Sequence, residues 1–282
     1  MRKIGITGAT GQLGRLIVEK LKAKVDASNL VALVRSPEKA ADLGIEARKF
    51  DYNHPAELNE GLKGIDILMM VSASEVGKRL PQHRNIIEAA KKNGVNRIVY
   101  TSLLHAGTST ISLAEEHRAT EAMLKSSGIP YTILRNGWYT ENYTMSIANV
   151  LNAGVVIGAS GEGKISAATR EDYAEAAAAV LTGEGHEGKV YELAGDEPFT
   201  MKEYAAEIAK QTGKDIQYVH LTVEEYAEKL AAFGMPEAVA KMFAGFDRDA
   251  GNNQLFDDSK TLSKLIGRPT TPLSAAIKKA LG

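Results

Sequence analysis

From its first residues the chain alternates short β-branched and aliphatic runs with segments whose apolar residues recur every three or four positions. The runs at 3–7, 30–34, 45–50, 66–71, 97–102 and 131–134 read as strands. Between them, 13–21, 81–92 and 113–124 carry the period of amphipathic helices. Parallel strands need crossover helices, so the alternation predicts an α/β fold, a Rossmann-type doubly wound parallel sheet covered on both faces. Ligands of such sheets lie beyond the carboxyl ends of the strands, which directs attention to the residues just after each run.

Past residue 134 the alternation stops. A loop over 135–142 leads into a helical stretch and then a Gly-rich segment around Gly158, Gly161 and Gly163. Residues 171–181 are Ala-rich and helical, and 190–194 reads as one more strand. Helical patterns at 201–211, 223–233, 236–246 and 273–281 then dominate, predicting a smaller, mainly helical C-terminal lobe. The expected division is a nucleotide-binding domain from 1–135 plus roughly 171–195, and a substrate-side lobe from 136–170 plus 196–282. The polar tract 247–253, with Gly251 inside it, reads as an irregular loop.

Charge and composition narrow the function. Lys and Arg number 34 against 35 Asp and Glu, so no net basic field exists to hold nucleic acid or an anionic membrane, and a small-molecule partner is expected. Cys is absent, which excludes disulfides, thiolate nucleophiles, iron–sulfur clusters and Cys-ligated zinc; redox chemistry must come from a bound cofactor. The apolar run 67–71 is far too short to span a bilayer, and the chain opens on a strand pattern rather than a signal peptide, so the expected location is cytoplasmic. No heptad or interface stripe chooses between a monomer and a homodimer.

The first run ends in Gly8-Ala9-Thr10-Gly11-Gln12-Leu13-Gly14, which also opens the first helix. Free N–H groups and the helix dipole there suit a pyrophosphate, with Gly8 for the turn, Gly11 for close approach of phosphate and Gly14 for helix–strand packing. A ligand-free glycine turn uses the same residues, and it is the strand–turn–helix context that favours the dinucleotide. Arg35 follows the second run, where an NAD-binding chain carries an acid; a guanidinium there suits a 2′-phosphate, so NADPH is expected over NADH, unless Arg35 is an ordinary surface cation. Lys39 reads as a surface cation, and Asp51 either caps its own turn or approaches adenine.

Conventional short-chain dehydrogenases place a Ser at the end of the fifth strand and a Tyr-x-x-x-Lys on the next helix, where the Lys lowers the Tyr pKa for proton transfer. Thr101-Ser102 end the fifth run, but His117 and Glu121 stand where the Tyr and Lys belong. A carboxylate cannot lower a phenol pKa, and there is no phenol to lower. With no third ligand nearby, no metal is expected, and the pair reads as an exposed i, i+4 contact. His105, just after the fifth run, faces the ligand side or makes a local hydrogen bond, and Ser102 has no Ser-His-acid arrangement around it. Hydride transfer to an electron-poor acceptor such as a quinone survives these absences, because it needs mainly placement.

The segments 8–14, Arg35, Ser72-Ala73-Ser74-Glu75-Val76-Gly77, Pro81-Gln82-His83-Arg84-Asn85, Tyr100-Thr101-Ser102-Leu103-Leu104-His105, 134–142 and 256–267 closely resemble the type 2 NAD(P)H:quinone oxidoreductases, NmrA-like members of the atypical short-chain dehydrogenases. The resemblance runs essentially end to end and implies reduction of quinones by NADPH without flavin or metal. It implies that 8–13 and Arg35 hold pyrophosphate and 2′-phosphate, and that Ser72, Ala73 and Ser74 line the nicotinamide ribose. Asn136, Gly137 and Trp138 are expected beside the nicotinamide. Trp138, Tyr139, Thr140, Glu141 and Asn142, with Arg170 and His105, are expected on the acceptor side, Tyr139 as a weak candidate proton donor. Trp138, the only Trp, offers a flat face for a quinone ring, or alternatively packs the lobe. NmrA-type proteins that sense NADP(H) without turnover, and reductases of triphenylmethane dyes, are the competing implications.

Overall fold

The computed structural model describes residues 2–282, which divide into two compact units. The first comprises the chain up to Gly107, Leu113–Asn136 and Arg170–Glu192. Its strands are β1 (Ile4–Thr7), β2 (Leu30–Val34), β3 (Glu46–Lys49), β4 (Ile67–Met70), β5 (Arg97–Leu103) and β6 (Tyr131–Asn136), with β8 (Val190–Leu193) at the edge. The sheet order is β3-β2-β1-β4-β5-β6-β8, and β1 to β6 pair in parallel. Every residue of β1, β2, β4 and β5 is buried, the mark of a parallel sheet covered on both faces and the reason β2 and β4 read as unbroken apolar runs. The order reverses between β1 and β4, which opens a crevice at the carboxyl ends of those strands.

Helices cover both faces. On α1 (Gln12–Lys22), Leu13, Ile17, Val18 and Leu21 form the buried stripe. It packs against α7 (Arg170–Thr182), whose buried Ala174, Ala176, Ala177 and Ala178 allow close approach. Elsewhere in this unit α2 (Pro55–Gly61), α3 (Arg79–Lys92) and α4 (Ala114–Ser126) pack in sequence, α3 against both neighbours. Part of the core joins Leu33, Phe50, Leu68, Ile86, Ile98 and Leu124, each fully buried; burial stabilises each by about 1.5–3 kcal/mol. The short α2, opened by Pro55, was not among the predicted helices.

The second unit comprises Thr108–Ser112, Gly137–Thr169 and Leu193–Gly282. It is mainly helical, with α5 (Glu141–Thr144), α6 (Ile147–Ala153), α8 (Met201–Thr212), α9 (Val223–Ala232), α10 (Glu237–Gly251), α11 (Thr261–Ile266) and α12 (Leu273–Leu281). Thr200 with Glu203, and Thr222 with Glu225, form capping boxes that start α8 and α9. Two strands unforeseen in the sequence, β7 (Val155–Gly158) and β9 (Gln217–His220), pair in parallel; four residues each, partly exposed, leave no periodic signal.

One expectation is overturned. The tract 247–253 is not a loop through its length: α10 continues to Gly251. Its polar residues are used internally, for Asp247 accepts the Ala159 N–H at 2.6 Å and the buried Asp249 accepts from Thr110 Oγ1 at 3.3 Å. Hydropathy reads such carboxylates as solvent-facing, whereas here donors distant in sequence claim them.

Candidate active site

At the end of β1 the chain turns on Gly8, whose φ of +60° favours glycine, and the Gly11 N–H closes the turn on the Gly8 carbonyl at 2.8 Å. A Cβ on Gly14 would lie 2.2 Å from that carbonyl oxygen, so only glycine lets α1 start this close to the strand. Gly11 caps α1 in an extended conformation without a side-chain hydrogen bond, and no acidic residue sits in the first turn. The positive end of the helix and its first N–H groups are thus left for an anion.

This turn forms one wall of a cleft of about 370 Å³, lined here by Gly8, Thr10, Gly11, Gln12, Leu13 and Gly14. Ala9, expected with them, is fully buried and is not among the lining residues. After β2 and β3, Arg35, Ser36, Lys39, Asp51, Tyr52 and Asn53 form the second wall. The third is Val71, Ser72, Ala73, Ser74 and Glu75 after β4, with Gln82 from α3. The structure therefore brings together the expected glycine turn, Arg35 and Ser72 to Ser74 within one unit. Tyr52, Asn53, Glu75 and Gln82 were not among the expected site residues, although Tyr52 and Asn53 lie just after β3 and Glu75 and Gln82 stand in segments that carried the resemblance.

Electrostatics differ along this cleft. Arg35 is 72% exposed, and its nearest carboxylate is Glu75 at 3.7 Å, an ion pair open to competition by a stronger anion. Lys39 lines the cleft while staying exposed. Asp51 accepts the Asn53 N–H at 2.9 Å, and that bond holds its carboxyl below the usual range, so the turn-capping role is met at a cleft-lining position. Burial pushes the Tyr52 phenol up to about 12, leaving it protonated as a donor.

The helix pair on α4 is not exposed. His117 and Glu121 are 5% and 3% accessible, which corrects the expectation of a solvated contact. The two residues face the sheet, where the Tyr100 hydroxyl meets His117 Nδ1 at 2.7 Å and the Ser102 hydroxyl donates to Glu121 at 2.7 Å. Burial, with Arg79 and His83 adding to it, pushes His117 down to about 3, so the ring is neutral. Burial pushes Glu121 up, but hydrogen bonds from Arg135 and Ser102 outweigh it and hold the carboxyl below its ordinary value. Arg135 bonds Glu121 at 2.8 and 2.7 Å and reaches Glu192 at 2.7 Å. Glu192 in turn accepts the N–H of His105, whose φ is +53°; this is the local hydrogen bond that was one of the two roles expected there.

Asn136 closes β6 beside Leu103 with its side-chain oxygen buried and without a hydrogen-bond partner. Gly137 to Asn142 belong to the second unit. There the Trp138 ring meets Phe246 edge-on at 5.4 Å, Tyr139 bridges Ala168, and the buried Thr140 donates its N–H to the Ala168 carbonyl at 2.9 Å. Glu141 and Asn142 begin α5, and Arg170 opens α7 in the first unit. Among the described residues no group of three or more His, Asp or Glu is placed to hold a metal, and no helix is long and apolar enough to cross a membrane.

The model of a family described as NAD(P)H-binding matches residues 8–184. Quinone oxidoreductase 2 of Escherichia coli (strain K12) is 54% identical over 97% of both chains. The chain belongs to this NAD(P)H-binding, quinone oxidoreductase 2 family. The crystal structure of the NADPH-dependent quinone oxidoreductase of Escherichia coli, solved with NADPH, superposes with a TM-score of 0.97 over 99% of this chain and 100% of that one, at 54% identity. Citrobacter sp. triphenylmethane reductase, solved with NADP(H), follows with a TM-score of 0.95, 37% identity and coverage of 99% and 100%. In this member of the quinone oxidoreductase 2 family the uncapped helix start, the steric need for glycine at position 14 and the cations at the lip all fit a phosphorylated dinucleotide.

Proposed function

We propose that this protein is a cytoplasmic NADPH-dependent quinone reductase that works by direct hydride transfer without a flavin. The observation that carries this reading is the cleft at the β1–β4 crossover, where the open start of α1 and the exposed Arg35 belong to one surface. The N–H groups of the glycine turn would hold the pyrophosphate, Arg35 the 2′-phosphate, and Ser72, Ala73 and Ser74 the nicotinamide ribose. NADPH bound there supplies a hydride to an electron-poor acceptor.

The rest of the work falls to positioning. His117 and Glu121 occupy the dyad positions, yet both are committed to buried bonds with Tyr100, Ser102 and Arg135, so proton transfer to an alkoxide is not what α4 supports. A quinone does not require it, because its reduced form is a stabilised oxyanion that water can protonate. Asn136, Gly137 and Trp138 are proposed to lie beside the nicotinamide, and Trp138 to Asn142 with His105 and Arg170 to serve the acceptor, Trp138 by stacking. Kinship with quinone oxidoreductase 2, at 54% identity across the chain, supports turnover rather than sensing. The test is purified protein mixed with NADPH and a simple benzoquinone. The expected result is protein-dependent loss of NADPH absorbance; a rise in melting temperature with NADPH but no turnover would replace the enzyme by a sensor.

A further inference from the structure

The ladder of β4 ends at Met70, and the next three N–H groups leave the sheet for side chains of three different elements. Val71 donates to Thr7 Oγ1 of β1 at 2.9 Å, Ser72 to Thr101 Oγ1 of β5 at 2.9 Å, and Ala73 to His83 Nε2 of α3 at 3.0 Å. All three acceptors are buried. The Ala73 peptide is held from its other side too, since Arg79 Nε donates to the Ala73 carbonyl at 2.9 Å. These are the residues that form the third wall of the cleft.

Nε2 of His83 can serve only as an acceptor here. The Ala73 N–H points at Nε2, so the ring proton sits on Nδ1, which donates to Thr120 Oγ1 at 2.9 Å; that hydroxyl donates onward to the Glu116 carbonyl at 2.8 Å. Burial, with the Arg79 charge beside it, pushes His83 down to about 3, so the acceptor is kept at any working pH. Glu116 braces the same segment, its carboxylate taking Arg79 at 2.9 Å and the Gly77 N–H at 3.1 Å. His83 belongs to the Pro81 to Asn85 motif. Asn85 of that motif donates to the Tyr52 carbonyl on the second wall at 2.9 Å, so one short stretch of α3 supports two walls.

We propose that His83, its tautomer set by Thr120, is a positioning residue that fixes the Val71 to Ser74 backbone against the nicotinamide half of NADPH. This rests on the reading that the cleft holds NADPH. The adenosine half relies on the glycine turn and Arg35, which His83 does not touch, so the two halves of the cofactor respond differently to its loss. A displacement of about 1 Å at a reacting centre is enough to cost roughly 100-fold in rate.

The experiment measures calorimetric affinities for NADPH and for adenosine 2′,5′-bisphosphate, which lacks the nicotinamide half, in wild type, His83→Leu and His83→Gln. His83→Leu should weaken NADPH about 10-fold or more while the bisphosphate stays within about 2-fold. His83→Gln, whose amide oxygen can still accept the Ala73 N–H, should recover most of the difference, and quinone turnover should follow the NADPH series. Parallel weakening of both ligands, or no change in either, overturns the proposal. If His83→Leu does not fold, Thr120→Val is read in the same way, and an unchanged ratio of the two affinities overturns it. A wild type that binds neither ligand removes the cofactor reading itself, whereas wild-type binding with unselective variants removes only the role of His83.

Discussion

Arg35→Ala tests the assignment of cofactor selectivity. Arg35 stands alone among the guanidinium groups lining the cleft, and its ion pair with Glu75, at 3.7 Å and with 72% of the arginine side chain exposed, is weak. A hydrogen bond to a charged partner contributes about 1.5–3 kcal/mol. Solvent screening at so exposed a side chain favours the lower part of that range, roughly a 10- to 30-fold loss of NADPH affinity. NADH carries no 2′-phosphate, so its affinity should change by no more than about 3-fold. Glu75→Gln tests the same geometry from the opposite side. At about 4 Å in a water-like medium the Glu75 charge is worth about 1 kcal/mol to Arg35, so removing it should tighten NADPH about 5-fold. In Arg35→Ala,Glu75→Gln that gain should disappear. Fluorescence titration with both nucleotides at two salt concentrations supplies the numbers, and the NADPH advantage should shrink as salt rises. Equal loss of NADPH and NADH in Arg35→Ala would refute the reasoning.

Three further outcomes are expected. Gly14→Val should prevent α1 from seating, because its Cβ would lie 2.2 Å from the Gly8 carbonyl oxygen; calorimetry should detect no NADPH binding, and wild-type affinity would sink the steric argument. His117→Ala should lose about 1–3 kcal/mol in a denaturant titration, since the buried Tyr100 hydroxyl loses its partner, yet retain quinone turnover; a loss beyond about 100-fold in kcat would restore α4 to the chemistry. Burial raises Asp247 to about 6, against which the N–H groups of Ala159 and Ser160 pull downward. A carboxyl raised on folding contributes stability fully below its unfolded pKa, near pH 4, and loses it as pH climbs through 6. Asp247→Asn stays neutral, so the decline in melting temperature from pH 4 to 7 should flatten, with a gain over wild type of about 3 kcal/mol at pH 7; identical slopes would contradict the assignment.

The inner strands β2 and β4 were legible because a parallel sheet buried on both faces writes continuous apolar runs, the exposed edge strand β3 only from its place in the alternation, and the glycine turn because its backbone geometry disfavours side chains at Gly8 and Gly14. Partner identity was not legible. His117 and Glu121 look like a surface pair by spacing, and only the positions of Tyr100, Ser102 and Arg135 on neighbouring strands turn them inward. Asp247 and Asp249 likewise read as loop residues until the distant Ala159 and Thr110 claim them. His83 stood within a motif that resemblance alone had marked; its hold on Ala73 joins residues from α3 and the end of β4, a link no periodicity records. Chemistry that depends on which side chains meet is written in tertiary contacts.

The most direct test of the central claim is stopped-flow mixing of the protein, preloaded with NADPH or its 4-deuterated form, with a benzoquinone. The account predicts no oxidation before quinone is added, then a single protein-dependent phase slowed by deuterium. NADPH consumption before the acceptor arrives, or no protein-dependent phase at all, would contradict direct transfer.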